Sequence, residues 1–140
     1  MADRKKSNNL HWLLMKTALH TKQRFMKIAE EKGLSVMQAY SLLLLEPRKQ
    51  VPMNSISGLL GCDPSNVTGI VDHLVADGYI ERNENPNDRR IKSISLTAKG
   101  SECRRMLLER LEKDNVPDIS KLSDTEVKSL QKILTKVLGE

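Results

Sequence analysis

The sequence predicts a mainly α-helical fold with one small β-hairpin, and three observations predict it. Apolar residues recur at helical spacing along most of the 140 residues. Ile91 to Leu96 instead alternate at strand period, directly after the turn-forming run Asn85-Pro86-Asn87-Asp88. Gly61, the pair Asp63-Pro64 and Gly78 punctuate a short helix, a turn, a second helix and the hairpin, in that order. That order is the one found in a winged helix-turn-helix with additional helices at both ends.

Taken from the start, Met1 to Lys6 read as a frayed basic tail. A helix from about Leu10 to Lys32 follows. It carries Leu10, Leu13, Leu14, Ala18, Leu19, Phe25, Met26, Ile28 and Ala29 as apolar positions, and stops at Gly33. Ser35 with Gln38 forms a capping box for the next helix, which holds Tyr40 and Leu42 to Leu45 and ends at Glu46-Pro47. Met53 to Leu60 is a short helical piece with Met53, Ile56, Leu59 and Leu60 apolar, and Gly61 is its expected left-handed C-cap. Asp63 is the N-cap of the second helix and Pro64 its first residue, where a missing N–H costs nothing. There Val67, Ile70, Val71 and Leu74 fall at i, i+3, i+4 and i+7, one buried stripe. The opposite face is Ser65, Gly69, Asp72 and Ala76, flanked by Asn66, Thr68 and His73.

Gly78 closes that helix, and Tyr79-Ile80-Glu81-Arg82 begins the first hairpin strand. Thr97 caps a helix from about Ala98 to Lys113, which Asn115-Val116-Pro117-Asp118 breaks. Ser123 and Glu126 form a second capping box, with Leu122 and Val127 placed to staple around it. The last helix carries Val127, Leu130, Ile133, Leu134, Val137 and Leu138 on one stripe. About six helices and one hairpin are expected, without repeats or linkers. The whole chain, 1–140, reads as one unit, with the winged core at about 34–100. The helices at about 8–33 and 101–140 have more apolar face than a lone winged core needs, and burial in an intertwined homodimer would use it.

Composition narrows the function classes. No apolar run is long enough to span a membrane, and the N-terminus is not a signal peptide. Two cysteines at unrelated spacing argue against a disulfide scaffold or zinc ribbon and suit a reducing cytoplasm. Aromatic residues make up only 3%, which disfavours a stacking platform for single strands. The net charge is +5, but residues 47–96 hold six Lys/Arg against six Asp/Glu, while residues 1–46 hold eight against four. Bulk charge therefore does not mark the contact surface, and placement must. Arg82, Arg89, Arg90 and Lys92 cluster on the hairpin, and Arg48 and Lys49 precede the helix-turn-helix as candidate phosphate contacts.

The candidate interface is double-stranded DNA. Ser65, Asn66, Thr68, Gly69, Asp72 and His73 would face the major groove, where Asn suits adenine. Asp72 can accept from cytosine or brace an arginine. Asp88, Arg89, Arg90 and Lys92 form the wing, with Asp88 pairing a wing arginine rather than touching a phosphate. A solvated hairpin tip is the plainer alternative for Arg89 and Arg90, and the adjacent helix-turn-helix favours contact. Cys62 precedes a helix N-terminus, where a thiolate is favoured, although a small apolar turn residue is the simpler reading. Cys103 is expected to pack. His11 and His20 are nine residues apart, about 13 Å along a helix, and alone cannot share a metal. No cofactor or metal is expected.

The wording of three segments is similar to the MarR family of bacterial transcription regulators. Asp88-Arg89-Arg90 followed by Leu96-Thr97-Ala98-Lys99-Gly100 resembles the family's wing signature. Asn66 to Ile80 resembles its recognition helix and exit, and Leu34-Ser35-Val36-Met37-Gln38 the start of its second helix. The resemblance covers roughly Leu10 to Leu138. It implies a homodimer on a pseudo-palindromic operator, usually a repressor, released by a small molecule, oxidant or metal. An unidentified small-molecule effector between the dimer helices and the winged lobes would meet Trp12, Phe25 and Tyr40, for which core packing is the default. The family often has a basic residue where this chain has Gly69, so base readout there must differ or be absent. Its peroxide-sensing branch carries a cysteine near the start of the first helix, which this chain lacks.

Two other classes compete. A winged-helix protein-interaction module without DNA binding draws on the neutral charge of residues 47–96 and on Gly69. An enzyme fares worst: Cys62 and His73, the nearest nucleophile and base, are about 15 Å apart along one helix. No paired carboxylates, glycine-rich phosphate loop or ligand cluster appears.

Overall fold

Among the described residues, six helices and a small antiparallel sheet follow one another. They are α1 (Ala2–Glu30), α2 (Val36–Leu44), β1 (Val51–Pro52), α3 (Met53–Leu60), α4 (Pro64–Ala76), β2 (Ile80–Asn85), β3 (Asp88–Leu96), α5 (Ala98–Lys113) and α6 (Asp124–Leu138). The structure, a computed structural model, describes residues 2–140, with side chains from residue 9 onward. The expected frayed tail is instead helical from Ala2, and Met1 lies outside the described residues.

The helix ends form where local chemistry places them. Ser35 Oγ accepts from the Gln38 N–H at 3.1 Å while Gln38 Oε1 accepts from the Ser35 N–H at 3.0 Å. Ser123 and Glu126 repeat this reciprocal box at the start of α6. Gly61 ends α3 with a φ of 63°, a left-handed geometry that favours glycine. Asp63 stands at the N-cap of α4, but its carboxylate makes no cap hydrogen bond, so only its charge and Pro64 favour that helix start.

The sheet has one strand more than expected. β1 pairs with the outer edge of β3, Val51 opposite Ile94 and Pro52 opposite Ser93, giving the order β1-β3-β2. Two residues show no periodicity to read, and Pro52 is tolerated because it lies on an edge strand. β2 and β3 pair from Ile80↔Leu96 to Glu84↔Lys92, and the register then jumps to Asn85↔Asp88. Arg89, Arg90 and Ile91 have no partner across that jump and bulge from the ladder.

One apolar cluster joins the elements. Phe25, Ile28 and Ala29 of α1 meet Leu42 of α2, Ile56 and Leu60 of α3, Val67, Val71 and Leu74 of α4, Ile80 and Ile94 of the sheet, and Leu107 of α5. The helical stripe of α4 therefore points inward, and its polar face outward. A separate set of polar contacts holds α1 to α5. Arg110 reaches Glu31 at 2.5 Å and Asp114 at 3.0 Å, and Arg24 donates to the Asp114 carbonyl at 3.3 Å. Helix α6 buries no residue, and Leu10, Trp12, Leu13, Leu14, Met15 and Leu19 of α1 are exposed as well.

The start of α5 is fixed by close approach. A Cβ on Gly100 would stand 1.8 Å from the Tyr79 carbonyl oxygen, a backbone atom that cannot swing aside. Gly100→Ala is therefore expected to destabilise the fold by at least about 2 kcal/mol, read as a lower urea midpoint at unchanged m-value. An unchanged midpoint would show that the two segments separate freely.

Candidate nucleic-acid interface

Helix α4 and the β2–β3 hairpin pack together through Val71, Leu74, Ile80 and Ile94, and one ion pair joins them at the surface. Asp72, on the outward face of α4, pairs with the Arg82 guanidinium of β2. Asp72 thus braces an arginine, and Arg82 has a carboxylate partner rather than standing as a lone cation. The pair, ten residues apart in the chain, joins two separate elements.

The other outward residues of α4 are arranged as expected. Ser65, Asn66, Thr68, Gly69 and His73 are exposed, opposite buried Val67, Val71 and Leu74. Thr68 Oγ1 donates to the Pro64 carbonyl at 3.0 Å, which leaves its hydroxyl oxygen as an acceptor. His73 Nε2 stands 3.4 Å from Asp77 Oδ2. Ser65 and Asn66 make no hydrogen bond through their side chains among the described residues, so their polar groups remain available to a partner.

The wing is built around one carboxylate. Asp88 Oδ1 accepts from the Arg90 backbone N–H at 3.0 Å and from Arg90 Nε at 3.2 Å. The Arg90 side chain is 92% exposed, so Asp88 orients a cation that otherwise projects into solvent. Arg89 makes no ion pair among the described residues. The two arginines therefore differ: one is aimed, the other is free. Lys92 lies opposite Glu84 in the β2–β3 register and is exposed.

Of the two cations before the helix-turn-helix, Lys49 pairs with Glu46 and holds that carboxyl below its ordinary range. Arg48 is exposed beside it, with a left-handed φ of 64°.

The remaining candidates separate. Phe25 and Tyr40 line one open apolar pocket with Met37, Leu43, Leu111 and Val116, and Lys22 borders it. Trp12 does not line it: six residues upstream of Ala18, the pocket's first α1 residue, it is exposed on a stretch of α1 beyond the core. Cys62 is half-buried, with its thiol 3.6 Å from the Leu60 carbonyl. Cys103 is buried, and burial pushes its thiol up, which favours the packed, uncharged form. No group of three or more His, Cys, Asp or Glu able to hold a metal occurs among the described residues. Nor is any helix there long and apolar enough to cross a membrane.

Residues 34–92 match a family model described as the MarR family. Over 133 residues the chain is 31% identical to the transcriptional repressor MprA of Escherichia coli K12, covering 91% of this chain and 76% of that protein. A solved MarR-family regulator from Rhodococcus sp. RHA1 superposes with a TM-score of 0.79 at 27% identity, covering 94% of this chain and 93% of the other. Mutant MarR from E. coli, solved in complex with operator DNA, shares the fold, with a TM-score of 0.73 at 23% identity over 93% of this chain and 94% of its own.

The wing contact makes a pH prediction. Arg90 holds the Asp88 carboxyl below its ordinary range through side-chain and backbone hydrogen bonds. A depressed carboxyl favours the ordered wing above the ordinary aspartate pKa of about 4, and the ordering is lost as pH falls through the lowered value. A carbon-detected NMR titration should place the Asp88 midpoint below that of a solvated aspartate, and Arg90→Ala should move it back up. Equal midpoints in the two proteins would remove the bracing role.

Proposed function

This chain belongs to the MarR family of transcription regulators, and from that premise we propose that it represses transcription as a homodimer bound to a pseudo-palindromic operator in double-stranded DNA. The observation that carries the proposal is the bulged Arg89–Ile91 segment beside a helix whose outward face is polar and short. Helix α4 is narrow enough to lie in a major groove, with Ser65, Asn66 and His73 at base edges or phosphates. The bulge carries Arg89 toward the flanking backbone or minor groove, and Asp88 aims Arg90 alongside.

A homodimer is supported by the exposed apolar faces of α1 and α6, where Val137 and Leu138 are 71% and 70% exposed. Faces of this kind, free of any partner in the chain itself, fit a self-complementary interface. The two α4 helices would then enter successive major grooves about 34–36 Å apart. The pocket around Phe25 and Tyr40 fits a small, largely apolar effector, with Lys22 able to receive an acidic group. Binding there would favour a dimer whose α4 spacing no longer matches the operator.

Two outcomes test this reading. Arg89→Ala should weaken binding across all duplexes and reduce the slope of log affinity against log salt by about 0.9 per lost phosphate contact; an unaltered slope and affinity in a gel-shift series would sink the wing assignment. Leu134→Asp with Val137→Asp should convert the protein to monomer by sedimentation equilibrium and lower operator affinity about a hundredfold or more. A dimer that survives both changes would place the interface elsewhere.

A further inference from the structure

The outward face of α4 carries side chains on either side of its middle but none at it. Gly69 sits there, one turn from Ser65 and Asn66 on one side and from Asp72 and His73 on the other. Nothing within the folded chain requires a glycine at this point. Its backbone is not among the positive-φ positions, so no left-handed geometry demands it. A Cβ built on it would meet no atom within 4 Å, so packing does not demand it either. Glycine in a helix interior also loosens the helix relative to alanine. Gly69 lines an open concavity with Ser65, Asn66 and Ile70 of α4, Cys62 of the turn, and Met37 and Gln38 of α2.

We infer that Gly69 is a specificity-determining residue: its missing side chain is a notch that receives the 5-methyl group of a thymine, next to an adenine bound by Asn66. The inference rests on the proposed entry of α4 into the major groove. There the thymine methyl is the apolar group that projects toward a protein, and Asn pairs with adenine through two hydrogen bonds. A bare Cα at the centre lets the helix approach that methyl closely, where a basic side chain would hold the helix away or read guanine. Gly58 of α3 is equally helical and equally open, but it lies outside this face, and so serves as the internal control.

The probe is a duplex that the wild-type protein enriches from a random pool. Each thymine of a half-site is replaced in turn by deoxyuridine, which removes only the methyl. The wild type should lose about fourfold in affinity at one thymine per half-site, the effect of one buried methyl. Gly69→Ala should bind the thymine duplex more weakly by at least that factor and recover affinity on the deoxyuridine duplex, which lacks the methyl its Cβ would displace. It should also melt a few degrees higher, so that lost binding is not lost folding. Gly58→Ala should melt higher too and bind as the wild type does. Wild-type affinity in Gly69→Ala, or indifference of the wild type to every thymine replacement, would overturn the notch while leaving operator binding intact. A wild-type protein that enriches no duplex would overturn the DNA-binding reading itself, and the notch with it, before any variant is made.

Discussion

Everything on the wing side of the molecule depends on the seam where the exit of α4 meets the start of α5. The Thr97 hydroxyl donates to the Gly78 carbonyl at 2.6 Å and accepts from the Gly100 N–H at 3.0 Å, so one side chain closes α4 and caps α5 together. Lys99 donates to the Asp77 carbonyl at 2.6 Å, and its ammonium stands 4.5 Å from the centre of the Tyr79 ring. The carbonyls at and just past a helix end lack partners within it, and here the start of α5 supplies donors to two of them, Asp77 and Gly78. Gly100 lets the backbones approach closely enough for all of this. A Thr-Ala-Lys-Gly run that looks like part of a wing motif is, physically, a clamp between a surface helix and a scaffold helix.

That clamp gives meaning to the neutral charge of residues 47–96. Several of the acids there are partnered by cations, Asp72 by Arg82 and Asp88 by Arg90, while Glu46 just before them holds Lys49. Exposed pairs of this kind contribute little to stability. What they contribute is direction: a long, flexible arginine side chain is held in one orientation before any partner arrives. Counting charges hides this, because each acid cancels a base in the sum while leaving the base better aimed. Arg89, unpaired on the bulge, is one cation whose charge such a count understates.

Much of the fold was legible because its signals are local. Both capping boxes, Gly61, Pro64, the Val67–Leu74 stripe and the bounds of α5 follow from residues three or four apart. What stayed hidden depends on residues distant in the chain. β1 exists only because Val51 meets Ile94, and two residues carry no period of their own. The choice of Arg82 as the partner of Asp72 is set by how β2 crosses α4. Trp12, Phe25 and Tyr40 form an aromatic set in the sequence, but Trp12 and Phe25 are 13 residues apart on α1, about 20 Å of rise. One reaches the pocket and the other cannot. The Asn-Pro-Asn-Asp run marks the turn, but the bulge at Arg89–Ile91 and its register jump are a property of the paired strands.

The two apolar faces left open by the fold lie on helices that the same scaffold connects. α1 carries one, and its inner end is tied to α5 by Glu31 and Arg110. α6 carries the other and follows α5 in the chain. Under the proposed dimer, the interface therefore reaches α5 through α1, while the Thr97–Gly100 seam fixes α4 to the start of that same helix. The pocket at Phe25 and Tyr40 also borders α5, through Leu111. Pocket and groove-facing helix thus both border α5, and α1 is tied to the same helix. A packed helix shifts as a body rather than bending, so a ligand that wedges α5 against α1 and α2 would move α4 relative to its twin. Reading DNA and releasing it would then be two positions of a single lever.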